Sequence, residues 1–387
     1  MIDRLQLGSV PSKPHTVHKV GGELTYEECF TRQGFEGAYS ILYHRRHPAR
    51  TVSWQASSRG WQPPRAVETD LLRRRHYLTP RLPAGGQLLD SRTPLLFNSD
   101  VTVLLSRPAE DDDVYFANGD GDELHFIHEG AGTLESMFGL LPFKAGDYVY
   151  IPRSTVHRWT WTAPGYDFIV EAHSYLDIPK NFRNQYGQLK MDAPYSHRDF
   201  GRPEWPANGL DAALASGPRT LVAKKGGRFS SYTFPSPVID IVGWDGYTYP
   251  FTFAIEKYQA KTGLVHLPPT IHTTFAGGNF VVCSFVPRMT DTHPDAIPCP
   301  YPHSSVDCDE ILFYVRGNFT SRKGVGPGSI SLHPAGVIHA PHPGSYEGSI
   351  GARRTDELAV MLDTFAPLQP TAQAVNIEDP GYMQSWA

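Results

Sequence analysis

Only four cysteines occur in 387 residues, at Cys29, Cys283, Cys299 and Cys308, and none falls at a metal-binding pair spacing. A disulfide scaffold and a zinc-ribbon site are thereby excluded. A chain of this length can bury its core without covalent staples, so the thiols are expected to be reduced. Long apolar runs are also missing, which argues against a transmembrane helix. The N-terminus, Met1-Ile2-Asp3-Arg4, lacks the apolar centre of a secretory leader and points to a cytoplasmic protein. Charge of one sign is not in excess: 35 Lys+Arg stand against 40 Asp+Glu, a net charge of -5. With no basic stripe there is no case for nucleic acid, and none for a membrane surface.

Turns and rings are what the chain has instead. It carries 35 Gly, 34 Pro, 19 Tyr and 20 Phe. Runs bounded by Gly and Pro read as strands, among them Asp147–Ile151, Phe168–Val170 and Phe280–Val286. The clearest helix is short, Asn208 to Ser216, closed by Gly217-Pro218. The spacing predicts a mainly β chain of sandwich or jelly-roll type. Three parts are expected: residues 1–180, an irregular N-terminal segment with a first β-module; 181–218, a connector with the short helix; and 219–387, a second β-module with a tail. His15, His18, His44 and His47 are read as surface residues, and Arg73-Arg74-Arg75 as a solvated or interface patch.

One pattern occurs twice. The first copy runs Asp122-Glu123-Leu124-His125-Phe126, Gly130, Gly146-Asp147, Pro152 and His157. The second runs Asp309-Glu310-Ile311-Leu312-Phe313, Gly317, Gly328-Ser329, Pro334 and His339, with the same interval from Glu to the first Gly and from the second Gly to His. They differ ahead of the acid, where the second copy has His303 and the first has Phe116. His303, Glu310 and His339 therefore form a candidate set of two histidines and one carboxylate. Such a set leaves open positions on Fe(II) for a chelating substrate and O₂. Asp309 competes with Glu310, but neighbouring strand residues face opposite ways, so only one can reach the metal. His342 competes with His339, and the Gly146-to-His157 interval favours His339. The first module is expected to be metal-free, with Glu123 and His157 hydrogen-bonded inside it; His125 and His128 could in principle complete another site.

Several stretches resemble the cupin superfamily and, more narrowly, the homogentisate 1,2-dioxygenases. These are Gly34 to Arg45, Gly146 to Arg153, Tyr301-Pro-His-Ser-Ser-Val-Asp-Cys-Asp-Glu310 with the run to Phe319, and Gly328 to His333 leading to His339. The resemblance implies two cupin-like jelly-roll modules (a bicupin) and a non-haem Fe(II) enzyme of tyrosine and phenylalanine catabolism. Such an enzyme opens homogentisate with O₂ to maleylacetoacetate. By resemblance the iron ligands are His303, Glu310 and His339. His266 assists deprotonation of the diphenol, and His333 lines the substrate site and hydrogen-bonds it. Tyr301 touches the ring, and the family forms trimers or hexamers. Two features depart from the animal members. Six residues separate His303 from Glu310, one more than in those enzymes, as in a bacterial branch. The Tyr and Lys that hold the acetate arm are replaced by Phe319 and Arg322, the latter able to bind a carboxylate bidentately. Gentisate, hydroxyanthranilate and fused-ring hydroquinones are the alternative substrates.

Overall fold

A computed structural model describes residues 2–69, 71–317, 319 and 324–386. Strands dominate. They form a 13-stranded, a six-stranded and a four-stranded sheet, with two further strand pairs. The chain is a mainly β protein, and its two repeated Asp-Glu pairs lie in the 13-stranded and the six-stranded sheet respectively. The longest α-helix among the described residues, Ala372–Asn376, has five. The helix expected from Asn208 shrinks to Leu210–Ala213, because Gly209 enters it at φ 90° with no capping side chain.

The six-stranded sheet has the order Thr273–Ala276, Phe280–Phe285, Leu358–Thr364, Asp309–Arg316, Ile330–His333 and Arg75–Tyr77. Strand alternation explains why Asp309–Arg316 carries both chemistry and core. Glu310, Leu312 and Tyr314 share one face, turned into the barrel, where Leu312 and Tyr314 pack with Cys283 and Met361. Ile311, Phe313 and Val315 share the other face and join the large core between the modules. There Phe313 stacks on Phe168 at 4.8 Å and meets Phe126 edge-on at 6.1 Å, both from the first module. Each such ring contributes roughly 1.5–3 kcal/mol by burial. The acid is thus held on a strand fixed from behind by aromatic packing.

The duplicated glycines mark duplicated turns. Gly130 and Gly317 have φ of 98° and 101°. A Cβ there would lie 2.8 Å from Pro164 O or 2.4 Å from Asp356 O, so both sites exclude a side chain.

The ends of the chain cross between sheets. Arg75–Tyr77 adds a strand to the six-stranded sheet, and Gln369–Pro370 adds one to the 13-stranded sheet. Strands Thr220–Lys225 and Phe251–Ala254 also pair within the 13-stranded sheet, so the six-stranded sheet draws on the chain only from Thr273 onward, apart from Arg75–Tyr77. The N-terminal segment is more regular than its composition suggests: Leu5–Gly8, Tyr26–Thr31 and Tyr39–His44 form the four-stranded sheet with Ile241–Gly246. Tyr26–Thr31 and Tyr39–His44 pair locally, but the strand that joins Leu5–Gly8 to them lies some two hundred residues away, beyond the reach of local pattern. His44, expected at the surface, is buried between Asp240 (2.9 Å) and Glu28 (2.8 Å). The arginine cluster binds the tail, with Arg73 and Arg75 on Glu378 at 3.0 and 2.6 Å.

Candidate metal centre

His303, Glu310 and His339 come together in the second module, with one potential ligand atom from each lying within 4.8 Å of the others. His303 and His339 face each other across a two-residue bridge, each backbone N–H donating to the other's carbonyl at 2.9 Å. The ring of each histidine is then locked by its own chain. His303 Nδ1 donates to Tyr301 O and His339 Nδ1 to Val337 O, both at 3.1 Å. A carbonyl can only accept, so Nδ1 carries the proton and Nε2 holds the lone pair. Both Nε2 atoms turn to Glu310, at 3.9 Å and 3.6 Å from its oxygens. His339 Nε2 is buried and makes no hydrogen bond.

Burial alone would push the Glu310 carboxyl up, but His303, His333 and His339 hold it well below the usual carboxylate range. Two imidazoles presenting Nε2 and an ionised carboxylate, preoriented around one point, are a donor set that fits a divalent transition metal. Asp309 is occupied elsewhere: its oxygens accept from Ala335 N and Leu368 N, each at 2.7 Å. Asp122 repeats this clamp on Arg153 N and Leu176 N, so the aspartate of each pair holds backbone while the glutamate faces inward. His342 bonds Pro343 O and stays outside the cluster.

The other expected site residues divide. His333 is buried, donates to Glu310 Oε1 at 2.7 Å and stacks on His339 at 4.4 Å, so it supports the acid and does not line the cavity. His266 lines the cavity and meets the Tyr301 ring edge-on at 5.0 Å; Tyr301 in turn lies 6.1 Å from His303. Burial lowers the His266 pKa from its ordinary value, leaving the imidazole neutral at pH 7. Arg322 lies outside the described residues. Phe319 is buried against Tyr314 at 4.9 Å. Cys308 is a free thiol, pushed up to about 11 mainly by burial, and is unreactive at neutral pH.

The cavity in front of the centre has a volume of about 720 Å³. Glu310 and His303 stand at one end, and Leu312, Met361 and Phe285 form apolar wall. Two partners of the design escaped the sequence. Asp363 pairs with Glu310 across the strands, and burial and the Glu310 charge push its carboxyl up to about 8. Its alternation with Met361 was the available signal. Arg92 is the other, and it explains the first module.

There, Phe116 pairs with His157 as His303 does with His339, and His157 Nδ1 bonds Thr155 O at 2.9 Å in the same manner. Glu123 again faces inward, but it binds protein. Arg92 reaches it at 2.5 and 3.2 Å, Asn118 at 2.8 Å and His125 Nε2 at 3.1 Å. A guanidinium thus takes the charge a metal would neutralise, lying against Trp61 and Phe116 at 4.7 and 5.1 Å. His125 is further committed to Asp167, at 2.6 Å. No second metal-binding group occurs among the described residues.

Fold and site define a mainly β protein with one candidate metal centre among the described residues. A protein of Saccharolobus solfataricus named "Putative dioxygenase" is 37% identical over 98% of this chain and 97% of its own length, and the chain belongs to the same family. It is also similar to the "Homogentisate 1,2-dioxygenase" of Bradyrhizobium diazoefficiens, 25% identical over 68% of this chain and 60% of that one. Among solved structures, the "Putative Glyoxylate Induced Protein" of Pseudomonas aeruginosa aligns over 83% of this chain at 12% identity and a TM-score of 0.37. No family model matches the chain. No helix of the described residues is long and apolar enough to cross a membrane.

Proposed function

We propose that the chain is a non-haem Fe(II) dioxygenase that cleaves the ring of a hydroquinone-type substrate, with homogentisate, opened to maleylacetoacetate, the simplest candidate. The reading is carried by the convergence of one ligand atom each from His303, His339 and Glu310 within 4.8 Å at the end of a cavity. The similarity to a named homogentisate dioxygenase supports it. Bound to these three side chains, Fe(II) would supply the Lewis acidity that favours the electron-rich phenolate and the redox chemistry that activates O₂.

The protein's own contribution follows from where its groups stand. His333 keeps Glu310 oriented through its 2.7 Å hydrogen bond, and the carbonyls of Tyr301 and Val337 fix the imidazole tautomers. Neutral His266 is a base able to accept the phenolic proton at Nδ1 or Nε2. Leu312, Met361 and Phe285 exclude water from the ring. A second hydroquinone is the alternative substrate, favoured by Phe319, which packs on Tyr314 and offers no hydroxyl to an acetate arm.

Anaerobic addition of Fe(II) at about 100 times its Kd is expected to stabilise the folded chain by about 2.7 kcal/mol, read as a rise in Tm that a chelator reverses. Oxygen-electrode assays with homogentisate, gentisate and hydroxyanthranilate test the reaction, and no uptake with any diphenol would remove it. For His266→Gln the expected loss of kcat is about 10²-fold or more. The acidic limb of the pH profile should vanish with it. A wild-type profile surviving in that variant would strip His266 of the base role.

A further inference from the structure

The cavity also holds a cation to which nothing above gives a partner. Arg288 lies in the strand Arg288–Met289, paired with Arg354–Thr355, and is half-buried. Its Nη1 donates to Val286 O at 3.1 Å, and its guanidinium lies over the Phe285 ring at 5.6 Å. Among the described residues it makes no ion pair within 4.0 Å, and Asp291 and Glu357 act on it only electrostatically. Burial lowers its pKa, as befits a guanidinium drawn from water without a bound counter-charge. A planar fork in that state is suited to a bidentate carboxylate.

Its distance from the metal centre follows from strand register. Glu310, Asp363 and Val281 share one rung, while Tyr314, Ala359 and Phe285 share a rung four residues further along. At ~3.3 Å per residue the two rungs are about 13 Å apart. Leu312, Met361 and Cys283 fill the rung between them. Arg288 follows Phe285 by three residues and lies over its ring, so it stands toward the rung remote from the acid, with His266 in electrostatic reach of both it and His303. An acetate arm carries its carboxylate only two bonds from the ring and does not bridge that length. The cavity of about 720 Å³ has room for a longer molecule.

We propose that Arg288 receives a carboxylate carried on a second ring or an extended arm of the diphenol, which makes the substrate longer than a single-ring acid. The proposal rests on the ring-cleaving reading for the metal-facing end only. Anaerobic titration calorimetry on the Fe(II)-loaded full chain tests it, with phenylhydroquinone and its 4′-carboxylate as probes. The wild type is expected to bind the carboxylate about tenfold tighter or more. In Arg288→Gln the two probes should bind equally, with the neutral one unchanged. Should that variant fail to fold, Arg288→Lys decides: it keeps charge but not the fork, and the preference should fall. A preference retained in both variants overturns the proposal, as does a wild type that binds neither probe. So does an equal, Arg288-dependent preference for homogentisate over methylhydroquinone. Because binding is read without turnover, absent oxygen uptake would remove the reaction and leave this result standing.

Discussion

Replacing Arg92 by alanine should destabilise the protein by about 3–5 kcal/mol, although Arg92 lies in the module without a metal site. Arg92 and Glu123 side chains are each 1% exposed, and the guanidinium supplies two of the hydrogen bonds to that carboxylate. Removing it strands a charge in the barrel, with only Asn118 and His125 left on it. The cost is that of an uncompensated buried ion, not the net worth of the pair. Urea titration of Arg92→Ala, Glu123→Gln and Arg92→Met/Glu123→Gln separates the two. The double variant should recover most of the loss, and equal losses in single and double variants would refute the account. The pH dependence has a fixed sign. Burial would raise the Glu123 carboxyl, yet Arg92 and His125 hold it well below its ordinary value of 4.5. A depressed carboxylate contributes stability that is present above the unfolded pKa and lost as pH falls through the folded one. Wild type should therefore weaken below about pH 4 more steeply than the double variant.

His303→Ala should abolish function at the other barrel while leaving the fold in place. His303 is partly exposed at the cavity edge, and the strand behind Glu310 is held by Phe313 and its neighbours without it. Loss of a ligand should cost metal affinity by about 100-fold or more, above what removal of a mere supporting partner costs. Oxygen uptake should fall with it. The paired control is His157→Ala, in the matching position of the first module. Since Arg92 already neutralises Glu123, that substitution should leave one iron per chain, measured by metal analysis after anaerobic loading. Two irons per wild-type chain, or iron retained in His303→Ala, would overturn the one-centre reading.

Much of this was legible in the chain. Equal intervals from acid to glycine and from glycine to histidine set out two like modules, because turns that demand positive φ leave glycines and strands alternate with period two. Phe116 in place of His303 marked the first module as altered, and the Asp-Glu pairs gave a choice that strand alternation reduces to one inward acid. Which acid turns inward was decided by the backbone N–H groups of Ala335 and Leu368, which hold Asp309 from distant turns.

Other features have no local trace. Arg92 is 31 residues from Glu123, and a single arginine before a strand carries no sign of its partner. The family resemblance made His333 a substrate contact, yet strand pairing sets it against Glu310. The N-terminal strands Leu5–Gly8 and Tyr39–His44 are joined only through Ile241–Gly246, and the tail crosses to the opposite sheet. The sequence by itself determined the repeat, the strand type and the ligand chemistry, because each depends on residue type at short spacing. Tertiary structure alone decided what neutralises the first acid, which histidine supports the second and where the unpaired cation Arg288 stands. Those depend on contacts between strands far apart in the chain, which no short-range periodicity encodes.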